Sequence, residues 1–242
     1  MKIFAKTDKG MVRSINQDCF DFEVVDTNFS WALICDGMGG TNSGEIASNL
    51  ARLCVKNEIN KNYKNGLTEC EIKNLMLESI SKSNKDILEK SLGNKEYEGM
   101  GTTIDLAVVI GDKLHVAHVG DSRVYLISKD KIEQITTDHS MVQEMLDSGE
   151  ITSEQAKVHP KKNIITKALG VHEQLDADYV SKKLEKGDVV FMCTDGLSNY
   201  IDMENILKYI NKYKEQELVE KFILNVNELG GNDNTTALVM YC

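Results

Sequence analysis

The chain has 242 residues, 41% hydrophobic and 27% charged, proportions that exclude a disordered or fibrous protein and allow one large core. Its 28 Lys and Arg against 38 Asp and Glu give a net charge of -10, and no basic block offers a footprint for nucleic acid. Charges interrupt the segment Met1 to Lys9, and the longest apolar run, Ala237 to Cys242, is far too short to span a bilayer. A cytoplasmic protein with no secretory signal and no membrane insertion is therefore expected.

Cys19 to Val25 and Phe29 to Cys35 read as a hairpin around the turn Asp26-Thr27-Asn28. The run Trp31 to Cys35 does not alternate, the mark of a strand buried on both faces. From about Ser43 the period changes: Ile46, Leu50, Leu53, Cys54 and Ile59 predict one helix, and Ile72, Leu75, Met76, Ile80, Ser83 and Ile87 a second. Strand patterns return at Thr103 to Ile110, Leu114 to Val119, Arg123 to Ile127 and Lys131 to Ile135. The turns Gly111-Asp112 and Lys129-Asp130 between them suggest an antiparallel meander, in which His115 and His118 are strand side chains.

Asp138 to Gly170 is the least regular stretch, with short helices expected at Val142 to Leu146 and Ser153 to Lys157 and the chain's only proline, Pro160. An insertion of this kind is expected to act as a flap. Val180 to Leu184 and Val189 to Cys193 are strands, Met203 to Ile210 and Leu218 to Leu229 helices, and Thr235 to Tyr241 a last strand. Helices arrive in two pairs among strands in hairpin order, which argues against a parallel sheet. The expected fold is α+β: a four-layer α-β-β-α sandwich of two antiparallel sheets flanked by helix pairs, one domain over 1–242 with a flap at about 138–170.

Six scattered cysteines, Cys19, Cys35, Cys54, Cys70, Cys193 and Cys242, include no C-x-x-C pair. That argues against a zinc or dithiol motif, and reduced packed thiols are preferred to three disulfides.

Asp18, Asp36, Asp121, Asp195 and Asp233 stand at the ends or starts of apolar runs, and all but Asp18 are beside glycine or in a Gly/Asn-rich turn. A sandwich would bring such carboxylates to a shared rim. Oxygen ligands without His or Cys favour Mg²⁺ or Mn²⁺. Two such ions about 3.5–4 Å apart can activate a water for in-line phosphoryl displacement. Arg13, five residues before Asp18, is placed to grip a phosphate with its fork. Taken singly, each Asp-Gly or Gly-Asp pair is more simply a hairpin turn. The stretch Gly37 to Gly44 lacks the spacing of a nucleotide-binding loop. No cysteine has Arg six residues later, and no D-x-D-x-T segment occurs, which removes two covalent phosphatase routes.

Arg13-x-x-Asn16-Gln17-Asp18-x-Phe20, Asp36-Gly37-Met38-Gly39-Gly40, Gly101-Thr102-Thr103, Gly120-Asp121-Ser122-Arg123, Thr194-Asp195-Gly196-Leu197 and Gly231-Asn232-Asp233-Asn234-Thr235-Thr236 resemble, in order, the motifs of the metal-dependent serine/threonine protein phosphatases of the 2C type (PP2C). The resemblance spans essentially the whole chain and is strongest to the compact bacterial members that oppose Ser/Thr kinases. It implies hydrolysis of phosphoserine and phosphothreonine by a metal-bridging hydroxide, with two Mn²⁺ or Mg²⁺ ions and a third, weaker one. Asp36, Asp195 and Asp233 would hold the first ion, and Asp36 with the Gly37 carbonyl the second. Asp121 with Asp195 would hold the third, while Asp18 bonds the metal waters and Arg13 binds substrate phosphate. Phosphorylated proteins are the implied partners, and a monomer is expected. Met38 departs from the histidine that many eukaryotic relatives carry there as the proposed acid. It has no proton to give, which leaves metal-bound water for that role. A phosphoprotein-binding module without catalysis, or a small-molecule phosphate hydrolase, stands as the alternative.

Overall fold

Two antiparallel sheets stack face to face, and the alternation of each strand decides which core its side chains feed. The computed structural model of the chain describes residues 1–40, 43–129 and 131–242; Thr41 and Asn42 of the glycine-rich stretch and Asp130 of one predicted turn lie outside them. The first half runs β1 (Lys2–Asp8), β2 (Asp18–Val24), β3 (Phe29–Met38), α1 (Ser43–Asn62), α2 (Glu69–Gly93), β4 (Gly101–Thr102), β5 (Ile104–Ile110) and β6 (Lys113–Val119). There follow β7 (Arg123–Ser128), β8 (Lys131–Gln134), α3 (Met141–Asp147), α4 (Ser153–Lys157), β9 (Asp178–Lys183) and β10 (Val189–Cys193). The chain continues through α5 (Asp195–Ser198), α6 (Met203–Lys212), α7 (Glu215–Glu228) and β11 (Thr235–Tyr241).

One sheet has the order β2-β3-β5-β6-β9, with β4 paired to the end of β3; the other has β1-β11-β10-β7-β8. Strand β3 shows why the middle layers form. Trp31, Leu33 and Cys35 pack outward against Val55 of α1 and Ile72 and Met76 of α2, while Ala32 and Ile34 pack inward against Val190, Leu238 and Met240 of the opposite sheet. Burial of both faces explains its unbroken apolar run. The second sheet turns Tyr125, Phe191 and Val239 outward onto Ile206 of α6 and Phe222 and Val226 of α7. The expected four layers are thus present. Thr68 and Glu71 close a reciprocal capping box that fixes the start of α2.

Three expectations need correction. The four strands from Thr103 to Ile135 are not one meander: β5 and β6 pair in the first sheet, β7 and β8 in the second. The chain crosses at Gly120-Asp121-Ser122, where Gly120 has φ +120° and a side chain would press on Thr103. Helix α1 buries Ala47, Ala51, Cys54, Val55 and Ile59 and leaves Leu53 exposed, and Leu229 likewise lies exposed past the end of α7. Asp36, Gly37 and Met38, expected in a turn, extend β3, where Gly37 and Met38 pair with β4. Strand β1, an edge strand interrupted by Lys2, Lys6 and Asp8, and the one-turn α5 were not anticipated.

Phe222 packs 4.8 Å from Phe191 and 4.9 Å from Tyr209, centroid to centroid, and seals α7 onto the second sheet. Phe222→Ala is expected to cost about 3–5 kcal/mol of unfolding free energy, read from the urea midpoint at unchanged slope. A loss under about 1 kcal/mol would mean that α7 is not held by this contact.

Candidate functional site

The predicted site residues converge at one end of the sandwich, where both sheets deliver carboxylates to the seam between them. Asp18 opens β2 and faces Asp36 of β3 directly across the ladder. From the other sheet, Asp195 follows β10 at the start of α5, close enough for its charge to act on Asp36, while Asp233 lies two residues before β11. Asp121 lies in the link where the chain changes sheets, close enough for its charge to act on Asp36.

Arg13 sits in the loop between β1 and β2. Asn234 clamps that loop: its Oδ1 accepts from the Gln17 N–H at 2.9 Å, and its Nδ2 donates to the Lys9 and Ile15 carbonyls, each at 2.9 Å. Arg13 Nη2 then donates to Asp233 Oδ2 at 2.8 Å. The side chain predicted to hold phosphate is thus paired with a predicted metal ligand. Both are substantially exposed, so the pair is weak and exchangeable.

Asp18 has the opposite setting. Its Oδ2 accepts from Thr194 Oγ1 at 2.8 Å and from Thr236 Oγ1 at 2.7 Å, whereas Oδ1 is buried with no partner. The Thr236 hydroxyl is in turn 2.8 Å from Thr7 Oγ1, which accepts from Asn16 Nδ2 at 2.9 Å. These supports escaped sequence reasoning because threonine in a strand run reads as strand propensity. Their one signal was position, since Thr194 and Thr236 stand within the two quoted motifs. Gly37 is required by packing: its N–H donates to the Gln17 carbonyl at 3.1 Å, and a methyl there would strike the Gly44 carbonyl at the start of α1.

Asp121 and Asp195 line a cleft of about 670 Å³ whose far wall is built from 138–170, including Gln143, Leu146 and Lys157. That segment is rooted beside Asp121. Arg123 forks onto Asp138 with contacts of 2.6 to 3.1 Å, and the His139 N–H donates to the Gly120 carbonyl at 2.7 Å. Burial, with His118 stacked 4.8 Å away, pushes the His139 imidazole down, so its Nδ1 accepts from the Gly120 N–H at 3.0 Å. His118 is structural, bonded to Asp105 at 2.6 Å and to the Thr137 carbonyl at 3.0 Å. A smaller cleft, about 260 Å³, lies at the opposite end of the sandwich among Asp26, Gly111 and Lys186, away from every one of these groups.

The acids strain against one another. Burial, then the charges of Asp195 and Asp233, raise Asp18 to about 7 despite its two threonine donors. Burial, then the charge of Asp18, raises Asp36 well above the carboxylate range. Asp121 is raised by burial and Asp195, and Asp195 by burial and Asp233. Such a cluster fits hard divalent cations: it offers only oxygen donors, has an unsatisfied buried oxygen on Asp18, and carries negative charge that cations would relieve. Among the described residues no three Asp, Glu, His or Cys side chains already form a closed cage, which suits ions that keep several of their waters.

The family model described as Protein phosphatase 2C matches residues 15–145. A serine/threonine phosphatase stp from Listeria monocytogenes is 36% identical over 238 residues, 97% of this chain and 93% of that protein. The crystal structure of serine/threonine phosphatase Stp1 from Staphylococcus aureus superposes with a TM-score of 0.92 at 31% identity, covering 100% of this chain and 94% of the other. The catalytic domain of the serine/threonine protein phosphatase PstP, solved with two manganese ions, gives a TM-score of 0.84 at 29% identity, covering 98% and 96%.

A carboxyl whose folded pKa lies above its unfolded value binds its proton more tightly in the fold, so its stabilising contribution is lost as pH rises between the two. For Asp18 that window runs from 3.8 to about 7. In EDTA the melting temperature is expected to fall between about pH 5 and about pH 8, and Mn²⁺ to restore more of it at the higher pH. A metal-free melting temperature that climbs over this range would contradict the mutual repulsion.

Proposed function

The chain belongs to the protein phosphatase 2C family, and from that premise we propose that it hydrolyses phosphoserine and phosphothreonine in proteins with Mn²⁺ or Mg²⁺ at the carboxylate seam. The observation that carries the reading is the convergence of Asp18, Asp36, Asp195 and Asp233 from two sheets, with Arg13 at their rim. Asp36, Gly37, Asp195 and Asp233 would hold two ions, and Asp121 with Asp195 a third. When bound, the ions supply acidified water and neutralise charge on the phosphoryl group.

The chain's own groups do the positioning. Arg13 releases Asp233 and turns its fork to the phosphate oxygens, an exchange favoured by its exposure. Asp18, fixed by Thr194 and Thr236, offers its free Oδ1 as an acceptor that orients water. Residues 138–170 act as the flap that borders the entry cleft, anchored by the Arg123–Asp138 fork. Met38, half-buried at the end of β3, carries no proton for the leaving alcohol. The substrates are proteins phosphorylated by a Ser/Thr kinase, met in the cytoplasm by a monomer. Among the described residues no helix is long and apolar enough to cross a membrane.

Phosphate release from a phosphothreonine peptide is expected with Mn²⁺, to stop in EDTA, and to fall at least about a hundredfold in Asp36→Asn and Asp233→Asn. A folded wild type that binds the peptide but releases nothing under any divalent metal would instead be a phosphoprotein-binding module. Preference for small phosphate esters over the peptide would make it a metabolite hydrolase. Arg13→Lys keeps a charge opposite Asp233 and loses the fork, so KM should rise about tenfold with kcat little changed. An unchanged KM would remove Arg13 from phosphate binding.

A further inference from the structure

The β2–β3 ladder that sets Asp18 opposite Asp36 sets the next residues inward, Cys19 and Cys35, opposite each other. Both are free thiols, and both belong to the apolar cluster between the first sheet and α1, so they project from the same face. Since the Gly37 N–H donates to the Gln17 carbonyl, the antiparallel alternation makes Cys19 and Cys35 a hydrogen-bonded pair, with Cα atoms about 5.5 Å apart. A disulfide spans Cα separations of about 4.4–6.8 Å. Side-chain rotation and a slight closing of the ladder are then enough to join them. Cys19 retains 8% exposure and Cys35 none, which sets the order of reaction.

We propose that Cys19 and Cys35 are a reversible oxidative modification site that takes a peroxide and, once bridged, disables the Asp18–Asp36 pair beside it. The Cys19 sulfur attacks one peroxide oxygen; the O–O bond breaks, Cys19 becomes a sulfenic acid, and water leaves. The Cys35 sulfur then attacks the Cys19 sulfur, the S–O bond breaks, and the hydroxyl departs with the Cys35 proton as a second water. Two thiols are oxidised and one peroxide is reduced. The bridge draws together the two strands whose adjoining residues carry the paired carboxylates, and a shift of about 1 Å in such groups is enough to lose about a hundredfold in rate. A bridge at a hydrogen-bonded pair is strained, and strained disulfides are the readily reduced ones.

The activity arm rests on the phosphatase reading, but the covalent arm does not. The full chain is treated with hydrogen peroxide, and non-reducing peptide maps are read beside phosphopeptide turnover. A linked peptide joining Cys19 to Cys35 is expected, with activity down about a hundredfold and restored by dithiothreitol, which does not repair oxidised methionine. Cys19→Ala and Cys35→Ala should keep turnover under the same peroxide and form no link. Absence of the link while exposed Cys70 is fully oxidised overturns the proposal, and so does a link that leaves activity intact or a loss that persists in both variants. If the reduced protein has no activity at all, the phosphatase reading fails and the peptide map still decides the site.

Discussion

Negative charge forced into a poorly hydrated seam is the constraint around which the rest of the molecule is arranged. Two sheets that bury their inner faces with Ile34, Val190 and Leu238 leave their ends to meet at the rim, and there each contributes acids. Asp18, Asp36, Asp121 and Asp195 are each raised by burial and by the charge of neighbouring acids. A chain selected only for stability would put an amide or a hydrocarbon at these positions. Retaining the acids is the signature of a site built for its ligand, since groups perturbed by desolvation and like charge collect where function requires them.

The neutralising cations are distributed to preserve that charge. Arg123 forks onto Asp138, and His118 is hydrogen-bonded to Asp105, both at the root of the segment 138–170. Arg13 reaches the rim through an exposed bond to Asp233 that is weak and easily exchanged. The interior pairs fix geometry, and the rim pair holds a place for something else. Neutral donors serve the deepest acid: the hydroxyls of Thr194 and Thr236 orient Asp18 without cancelling it.

Much of this arrangement is legible in the amino-acid sequence. Trp31 to Cys35, without alternation, announced a strand covered on both sides, and the spacing of Ile72 to Ile87 announced the buried face of α2. The acids next to glycines announced their own convergence. What stayed hidden depended on partners distant in sequence. Sequence spacing favours pairing neighbouring strands, and nothing local to Gly120 told that the chain changes sheets there. Charged β1 resembles a loop until β11 supplies its ladder. Thr194, Thr236 and Asn234 have ordinary strand and turn chemistry, and only the folded packing gives their polar atoms Asp18 and the 9–17 loop to hold.

Strand β1 pairs with β11 along its whole length, Lys2 against Tyr241 through Asp8 against Thr235. During synthesis β1 emerges early and has no sheet to join until β11 has been made, and Arg13 waits for Asp233 across 220 residues. Contacts of such separation form slowly, because closure of the long intervening chain comes before any return from the contact. The first sheet can assemble around β2, β3, β5 and β6 well before the second is closed. Competence is therefore acquired in a single late step, and a nascent chain carrying most of the acids is still without a working rim.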